Sequence, residues 1–381
     1  MQKWIRHLSI VLFLFSVGCA GWLKRGQVSD SSEEVGAEVP DNVQQALEKV
    51  QSEYGKVELV VNKHVMKWIN YYQGRGRKHM DRYLERSTRY VELMREVLRE
   101  EGLPEDLVYL PIVESGFSSS AHSFASAVGY WQFIRSTGKR YGLEINPYLD
   151  ERRDPEASTR AAARYLKALY NLFGDWYLAL AAYNTGENRV KRAVMKYGTR
   201  DFWDLAKKRR LHRETRDYVP KYLAALIIAK DPERFGFNNV DYSPKLSFDS
   251  IPTFKSISLE KLAKNMGLSY DELKNLNPKY RSDFVPVENG QSAYLRVPKG
   301  SAQTAVAALD SSVAEAPKHI PNDYFWYKVR RGDTLSEIAQ KYRTNISTLR
   351  RLNNMGRRSF IRVGQKVRVP DRGISVLRRN H

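Results

Sequence analysis

Cysteine is nearly absent: Cys19 is the single one in 381 residues, so no disulfide can form within this chain and the fold must rest on packing. Long hydrophobic runs are missing too. The best apolar stretch, Leu8 to Val17, is too short to span a bilayer comfortably. Acidic residues are in deficit, 43 against 63 Lys and Arg, which leaves a formal net charge of +20. An imbalance of that size implies an anionic partner, whether nucleic acid, anionic lipid or an anionic polymer of a cell envelope. What is present fits globular domains: 42% hydrophobic and 12% aromatic residues exclude a disordered chain, and the length allows two or three domains.

The N-terminus selects among those partners. Residues 1–19 carry a basic start (Lys3, Arg6, His7) before the apolar run, the pattern of a secretory signal peptide. An exported protein meets wall polymer and anionic lipid first, so no nucleic-acid partner is expected. Ser16-Val17-Gly18-Cys19 resembles a bacterial lipobox, which implies a lipid anchor on Cys19 and a membrane as partner. Ser16 stands where lipoboxes usually carry Leu, and cleavage after Ala20 is the rival reading. Ala20 in place of Asp after the cysteine implies, by the same resemblance, a periplasmic protein tethered to the outer membrane. Residues 20–40 are rich in Ser, Gly and acids without apolar period, and read as a flexible tether.

From 41 to 230 the pattern is helical, with 57–61 the one candidate run of period-two alternation. Tyr83, Leu84, Val91, Met94, Val97 and Leu98 recur at helical spacing before Gly102 and Pro104 punctuate the end. Pro104 to Val113 reads as a short helix that Glu114 closes. A carboxylate there feels the negative end of the helix dipole, and Val113 and Phe117 remove water from it. Both effects favour the neutral acid, which makes Glu114 a candidate proton donor; the plain alternative is a solvated helix-end glutamate. Further on, Ala157 to Phe173 shows an apolar stripe of Ala161, Tyr165, Leu169 and Leu172. Trp176 to Tyr183 is apolar all round, hence a buried helix, and presents Tyr183 and Asn184 at its polar end.

Glu114-Ser115, then Gly129-Tyr130-Trp131-Gln132-Phe133, then Ala182-Tyr183-Asn184-Thr185-Gly186 resemble, in this order, the three signatures of the lytic transglycosylase domain. The resemblance covers about 65–230 and implies a lysozyme-like helical fold acting on peptidoglycan glycan strands. It also implies roles. Glu114 would protonate the glycosidic oxygen between N-acetylmuramic acid and N-acetylglucosamine, then as carboxylate take the proton of the C6 hydroxyl that attacks C1, leaving a 1,6-anhydro ring. Ser123, Gln132, Tyr183 and Asn184 would be the polar residues that hold the substrate. Without the resemblance, Ser123 and Gln132 read as a turn cap and a surface amide, and Tyr183 as a packed aromatic. No cofactor and no metal are expected.

Two features bear on that implication. Tyr130-Trp131 stands where many members of the family have Leu-Met or Leu-Trp, so a sugar contact there can differ. Ordinary glycosidases need a second carboxylate, and none lies in 115–140. Asp150, Glu151 and Asp154 follow downstream; one of them facing Glu114 would permit hydrolysis of the goose-type lysozyme kind, although their setting favours capping and salt bridging. A catalytically idle wall-binding scaffold is the third reading.

Residues 231–252 read as an irregular linker. Then a repeat begins. Leu259, Leu262, Ala263, Leu273, Leu276 and Asn277 match Leu335, Ile338, Ala339, Leu349, Leu352 and Asn353 at one constant offset. The second copy, 323–370, reads as β-α-α-β: a strand over 327–329, a helix over 334–342 opened by a Thr334/Glu337 capping box, a helix over 346–352, and a strand over 366–369. It resembles the LysM module, a binder of polymers containing N-acetylglucosamine, and the resemblance implies glycan contacts near Gly332, Asp333, Thr334, Leu335 and Ile361. The first copy, 253–298, carries Ile257-Ser258-Leu259 in place of Gly-Asp-Thr-Leu, which leaves a spacer role open. Residues 299–322 read as a linker and 371–381 as a basic tail; from Lys328 to Arg379 there are fifteen Lys or Arg against three acids. The expected fold class is therefore mainly α, a lysozyme-like helical catalytic domain followed by small β-α-α-β modules.

Overall fold

The computed structural model describes residues 57–316 and 324–370, except 124, 289, 343, 358 and 359. The signal peptide, Cys19, the tether and the basic tail lie outside the described residues.

The helical body opens with α1 (Lys63–Gln73), capped by the Asn62 side chain, which accepts from the backbone N–H of His64 at 2.9 Å. The long helix α2 (Arg77–Glu100) turns Met80, Leu84, Met94, Val97 and Leu98 inward; Tyr83 and Val91 are half-buried at the edge of that stripe. The single helix expected over 104–113 is split into a 3-10 turn, Glu105–Tyr109, and α3 (Leu110–Glu114). Pro111 sits in the first turn of α3, where its missing N–H interrupts no bond, so the chain restarts there. The 57–61 stretch is not a strand. No partner strand lies beside it among the described residues, and Val57 and Leu59 pack into the core from irregular backbone.

After α4 (Arg135–Arg140), α5 (Pro155–Phe173) begins under an Asp154 cap that accepts from Glu156 and Ala157 N–H, both at 3.0 Å. Its inward stripe is Ala161, Ala162, Tyr165, Leu166, Leu169 and Phe173; Leu172, expected inside, points to solvent at 42% exposure. The next helix, α6 (Trp176–Thr185), is buried at every position from Tyr177 to Ala182, as its all-round apolar sequence requires. It forms the axis of the body, with α5, α7 (Glu187–Tyr197) and α9 (Arg213–Lys230) packed on it and α8 (Phe202–Lys207) following α7.

The C-terminal half holds the two small units. In the first, β1 (Phe248–Thr253) pairs antiparallel with β4 (Ala293–Pro298), Phe248 opposite Pro298 and Thr253 opposite Ala293. Between them come β2 (Ile257–Ser258), α10 (Leu259–Asn265), α11 (Tyr270–Leu276) and β3 (Phe284–Val285). The linkers expected on either side are not linkers throughout. Residues 243–246 are strapped along α2 by Ser243 N–H to Glu85 O at 3.1 Å and Leu246 N–H to Arg89 O at 2.9 Å, and β1 starts inside the expected 231–252 connection. On the other side α12 (Ala302–Ala308) buries Ala305 against the core of the unit. Its Ala-rich sequence reads as a spacer only when the apolar surface it covers is unknown.

The second unit runs β5 (Tyr324–Lys328), α13 (Leu335–Lys341), α14 (Ile346–Leu352) and β6 (Lys366–Pro370), with Tyr324 opposite Pro370. The Thr334/Glu337 capping box is present. The repeated asparagines do one job twice. Asn277 accepts from Arg296 N–H at 2.9 Å and donates to Arg296 O at 2.6 Å; Asn353 accepts from Arg368 N–H at 2.6 Å and donates to Arg368 O at 2.7 Å. Each ties the end of the second helix to the closing strand. A mainly α body followed by β-α-α-β units is the class the sequence implies.

Candidate active site

Glu114 ends α3 because the chain turns sharply after it. Gly116 adopts φ +61°, and a Cβ there would lie 2.2 Å from the Tyr83 ring, so only glycine lets the turn close. The next segment doubles back over the helix end. Ser115 Oγ donates to Tyr130 O at 2.8 Å, and Tyr183 Oη donates to Trp131 O at 2.7 Å, which pins the returning loop from both sides. Gly129, at φ +79°, packs so tightly that a Cβ would stand 1.8 Å from Arg152 O. Phe117, Ser126 and Gln132 also take positive φ, three of the five side-chain-bearing residues that do so among the described residues, and such backbone is strained.

Around the carboxyl group α9 supplies what sequence reasoning missed. Tyr218 Oη donates to Glu114 Oε1, and Lys221 and Glu214 lie close enough to act on Glu114 by charge. Burial is the largest influence and pushes Glu114 up to about 7, with Glu214 adding to the rise and Tyr218 and Lys221 opposing it. With Oε1 accepting from Tyr218, Oε2 is the oxygen left free to carry the proton of the neutral acid. The ammonium of Lys221 is itself pushed down by burial and held 5.6 Å over the Trp68 ring. Glu214, Tyr218 and Lys221 stand at i, i+4 and i+7, a spacing that puts them on one face of α9 but does not say which element that face meets.

The sequence-predicted residues divide. Tyr183 feels the charge of Glu114 and so belongs to its surroundings, although its hydroxyl is engaged by Trp131 O. Asn184 Oδ1 accepts from Thr215 Oγ1 at 3.1 Å and lines a cavity of about 470 Å³ together with Thr185, Arg189, His212, Glu214 and Thr215. Gln132 donates its amide to Gly129 O at 2.9 Å and to Ala121 O at 3.3 Å, so it supports its own loop. Ser123 accepts from Ala125 and Ala127 N–H, which makes it the cap of the 121–127 turn. Tyr130 and Trp131 are fully buried, Trp131 donating to Thr159 Oγ1 at 2.9 Å. Their side chains belong to the core.

The downstream acids are committed elsewhere. Asp150 takes Nε and Nη2 of Arg152, each at 2.8 Å, in a pair that is completely buried. Asp154 caps α5 and pairs with Arg296 at 2.7 Å. Glu151 accepts from Glu144 N–H at 2.7 Å.

In the second small unit Gly332 adopts φ +90°, Asp333 accepts from Tyr327 Oη and Arg330 N–H, both at 2.6 Å, and Thr334 belongs to the capping box. Leu335 is 2% exposed, so its side chain anchors the loop from below; Ile361 is half-buried against the same core.

Three family models match the chain: the transglycosylase SLT domain over 93–206, the LysM-like domain of the lytic transglycosylase MltD over 247–314, and the LysM domain over 327–370. The membrane-bound lytic murein transglycosylase D of Escherichia coli K12 is 35% identical over 283 residues, 71% of this chain and 61% of that protein. The corresponding protein of E. coli O6:H1 matches equally. This chain thus spans about three fifths of the length of those relatives. The 70 kDa soluble lytic transglycosylase of E. coli overlays with a TM-score of 0.34 and 21% identity, covering 40% of this chain and 26% of that one. The first LysM match extends from 247 to 314, through β1 and α12, and so agrees with the structure rather than with the narrower 253–298 read from the repeat. By these matches the chain carries a transglycosylase SLT domain, followed by an MltD-type LysM-like domain and a further LysM domain.

Proposed function

We propose that the chain is a peptidoglycan lytic transglycosylase that cleaves the β-1,4 bond between N-acetylmuramic acid and N-acetylglucosamine and leaves a 1,6-anhydro end. The observation that carries this reading is one acid, Glu114, pushed up to about 7 by burial, while Asp150 and Asp154 are each tied to an arginine. Near neutral pH Glu114 holds a proton on Oε2 that it can give to the glycosidic oxygen as the C1–O bond breaks. Tyr218 and Lys221 both favour the carboxylate that remains. That carboxylate then accepts the proton of the C6 hydroxyl as its oxygen bonds to C1, and the acid is restored. Positive charge at C1 is met meanwhile by the substrate's own acetamido oxygen, so no second protein carboxylate is required. The cavity beside Asn184 is where the neighbouring sugar and its polar groups are received.

The test is the product. Digestion of peptidoglycan by the wild type releases 1,6-anhydro ends, and Glu114→Gln abolishes the release. New reducing ends would mean hydrolysis, with Glu214 the carboxylate to examine; no released sugar at all would mean a wall-binding scaffold. The LysM unit at 323–370 holds the enzyme on the glycan, through the loop at Gly332, Asp333 and Thr334 with Ile361 beside it. A chain ending at Pro317 should be retained less by insoluble peptidoglycan than the full chain, and equal retention would remove that role. Export to the periplasm and attachment to the outer membrane rest on residues 1–19 and Cys19, and mass spectrometry of the mature N-terminus should find a lipidated Cys19. No described helix is long and apolar enough to cross a membrane.

A further inference from the structure

The first LysM-type unit is joined to the helical body by more than the chain. Arg296, on β4 and 9% exposed, donates to Asp154 at 2.7 and 3.1 Å and to Glu156 at 3.2 Å. A backbone seam runs beside this ion cluster. Asp150 N–H donates to Lys279 O and Arg281 N–H to Tyr148 O, both at 2.8 Å, and Leu149 packs into the core of the unit instead of that of the body. The segment 148–156 therefore has the small unit on one side. On its other side it holds the active-site loop: Arg152 Nη1 donates to Ser126 O and Phe133 O, each at 3.2 Å, and Gly129 lies against Arg152 O.

That loop needs holding. Ser126 and Gln132 keep left-handed backbone, which persists only where the surroundings over-determine it. Asp154 would cap α5 without Arg296, so the ion cluster adds something the helix itself does not need.

We propose that the first LysM-type unit is a positioning part of the active site, with Arg296 its key residue: it clamps 148–156 so that Arg152 fixes the 126–133 loop next to Glu114. This role requires more of the unit than spacing and does not depend on sugar binding by it. The proposal rests on the transglycosylase reading for its activity assay alone.

Three full-chain variants test it: Arg296→Leu, Arg296→Lys and Arg152→Lys. Loosening the loop should lower kcat on peptidoglycan about tenfold or more in Arg296→Leu, with retention on insoluble peptidoglycan unchanged because the second unit supplies it. Arg296→Lys, which restores a charge for Asp154, should recover part of the rate. Combining Arg296→Leu with Arg152→Lys should cost no more than the worse single change, since both act through one loop. Hydrogen exchange of amides 126–133 gives a reading independent of activity and of the Leu variant's folding: it should quicken in Arg296→Lys while amides of α6 keep their wild-type protection. Wild-type kcat in a folded Arg296→Leu, strictly additive losses, or unchanged exchange at 126–133 would each overturn the proposal. A wild type that releases no sugar would refute the enzymatic reading and leave the exchange result to decide this one.

Discussion

Replacing Glu114 by Gln should kill the enzyme and stabilise it, and the stabilisation should depend on pH. In the folded chain the carboxyl is pushed from its ordinary 4.5 up to about 7 by burial; in the unfolded chain it returns to the ordinary value. Below 4.5 both states hold the proton and the glutamate costs nothing. As pH rises from 4.5 to about 7 the unfolded state ionises while the folded state does not, so wild-type stability falls, and above 7 the loss is complete. A difference of that size corresponds to about 3 kcal/mol. Glu114 is half-buried rather than fully enclosed, and solvent screening reduces the expectation to about 2 kcal/mol. Glutamine does not titrate. Denaturant unfolding of both proteins at pH 5 and pH 8 should therefore show a small difference at the lower pH and a gain of about 2 kcal/mol for Glu114→Gln at the higher one. The wild-type rate of anhydro-product release should fall as pH rises through about 7, where the donor loses its proton. A stability difference that is the same at both pH values, or a rate that already falls near pH 4.5, would refute the buried-acid reasoning.

Three further perturbations follow from the same geometry. Tyr218→Phe removes a donor that favours the carboxylate, so the falling limb of the pH–rate profile should move to higher pH while the maximal rate drops about tenfold. Glu214→Gln removes a negative charge that raises Glu114; that limb should move to lower pH, and the products should remain anhydro ends. Gly129→Ala forces a side chain into a left-handed site 1.8 Å from Arg152 O, and should lower stability by about 2 kcal/mol or more, read by thermal unfolding, with activity lost alongside.

Much of this was legible in the residues. The all-round apolar α6, the Asp154 cap and the Thr334/Glu337 box are local patterns, and the chain folds there as propensity and capping dictate. The burial of Glu114 was legible in part, because Val113 and Phe117 flank it in sequence. Tyr218 and Lys221 were not, since they lie about a hundred residues away and only the packing of α9 on α3 brings them to the acid. Leu172 shows the limit of a stripe read alone: the periodicity of α5 was right, but which of its adjoining positions faces inward is set by α6. The misread linkers have one cause. Residues 243–246 and α12 satisfy their backbone or apolar groups against surfaces far along the chain, and a linear reading sees only their own weak pattern.

The asparagine clasp closes on a wider point. A side-chain amide that satisfies both the N–H and the C=O of one strand residue stands in for the edge of a missing third strand, so the closing strand of each small unit needs only one strand beside it. The frame of each unit is thereby independent of the loop that precedes its first helix. With Asn277 holding the frame, the first unit folds with Ser256-Ile257-Ser258-Leu259 where the second has Gly332-Asp333-Thr334-Leu335.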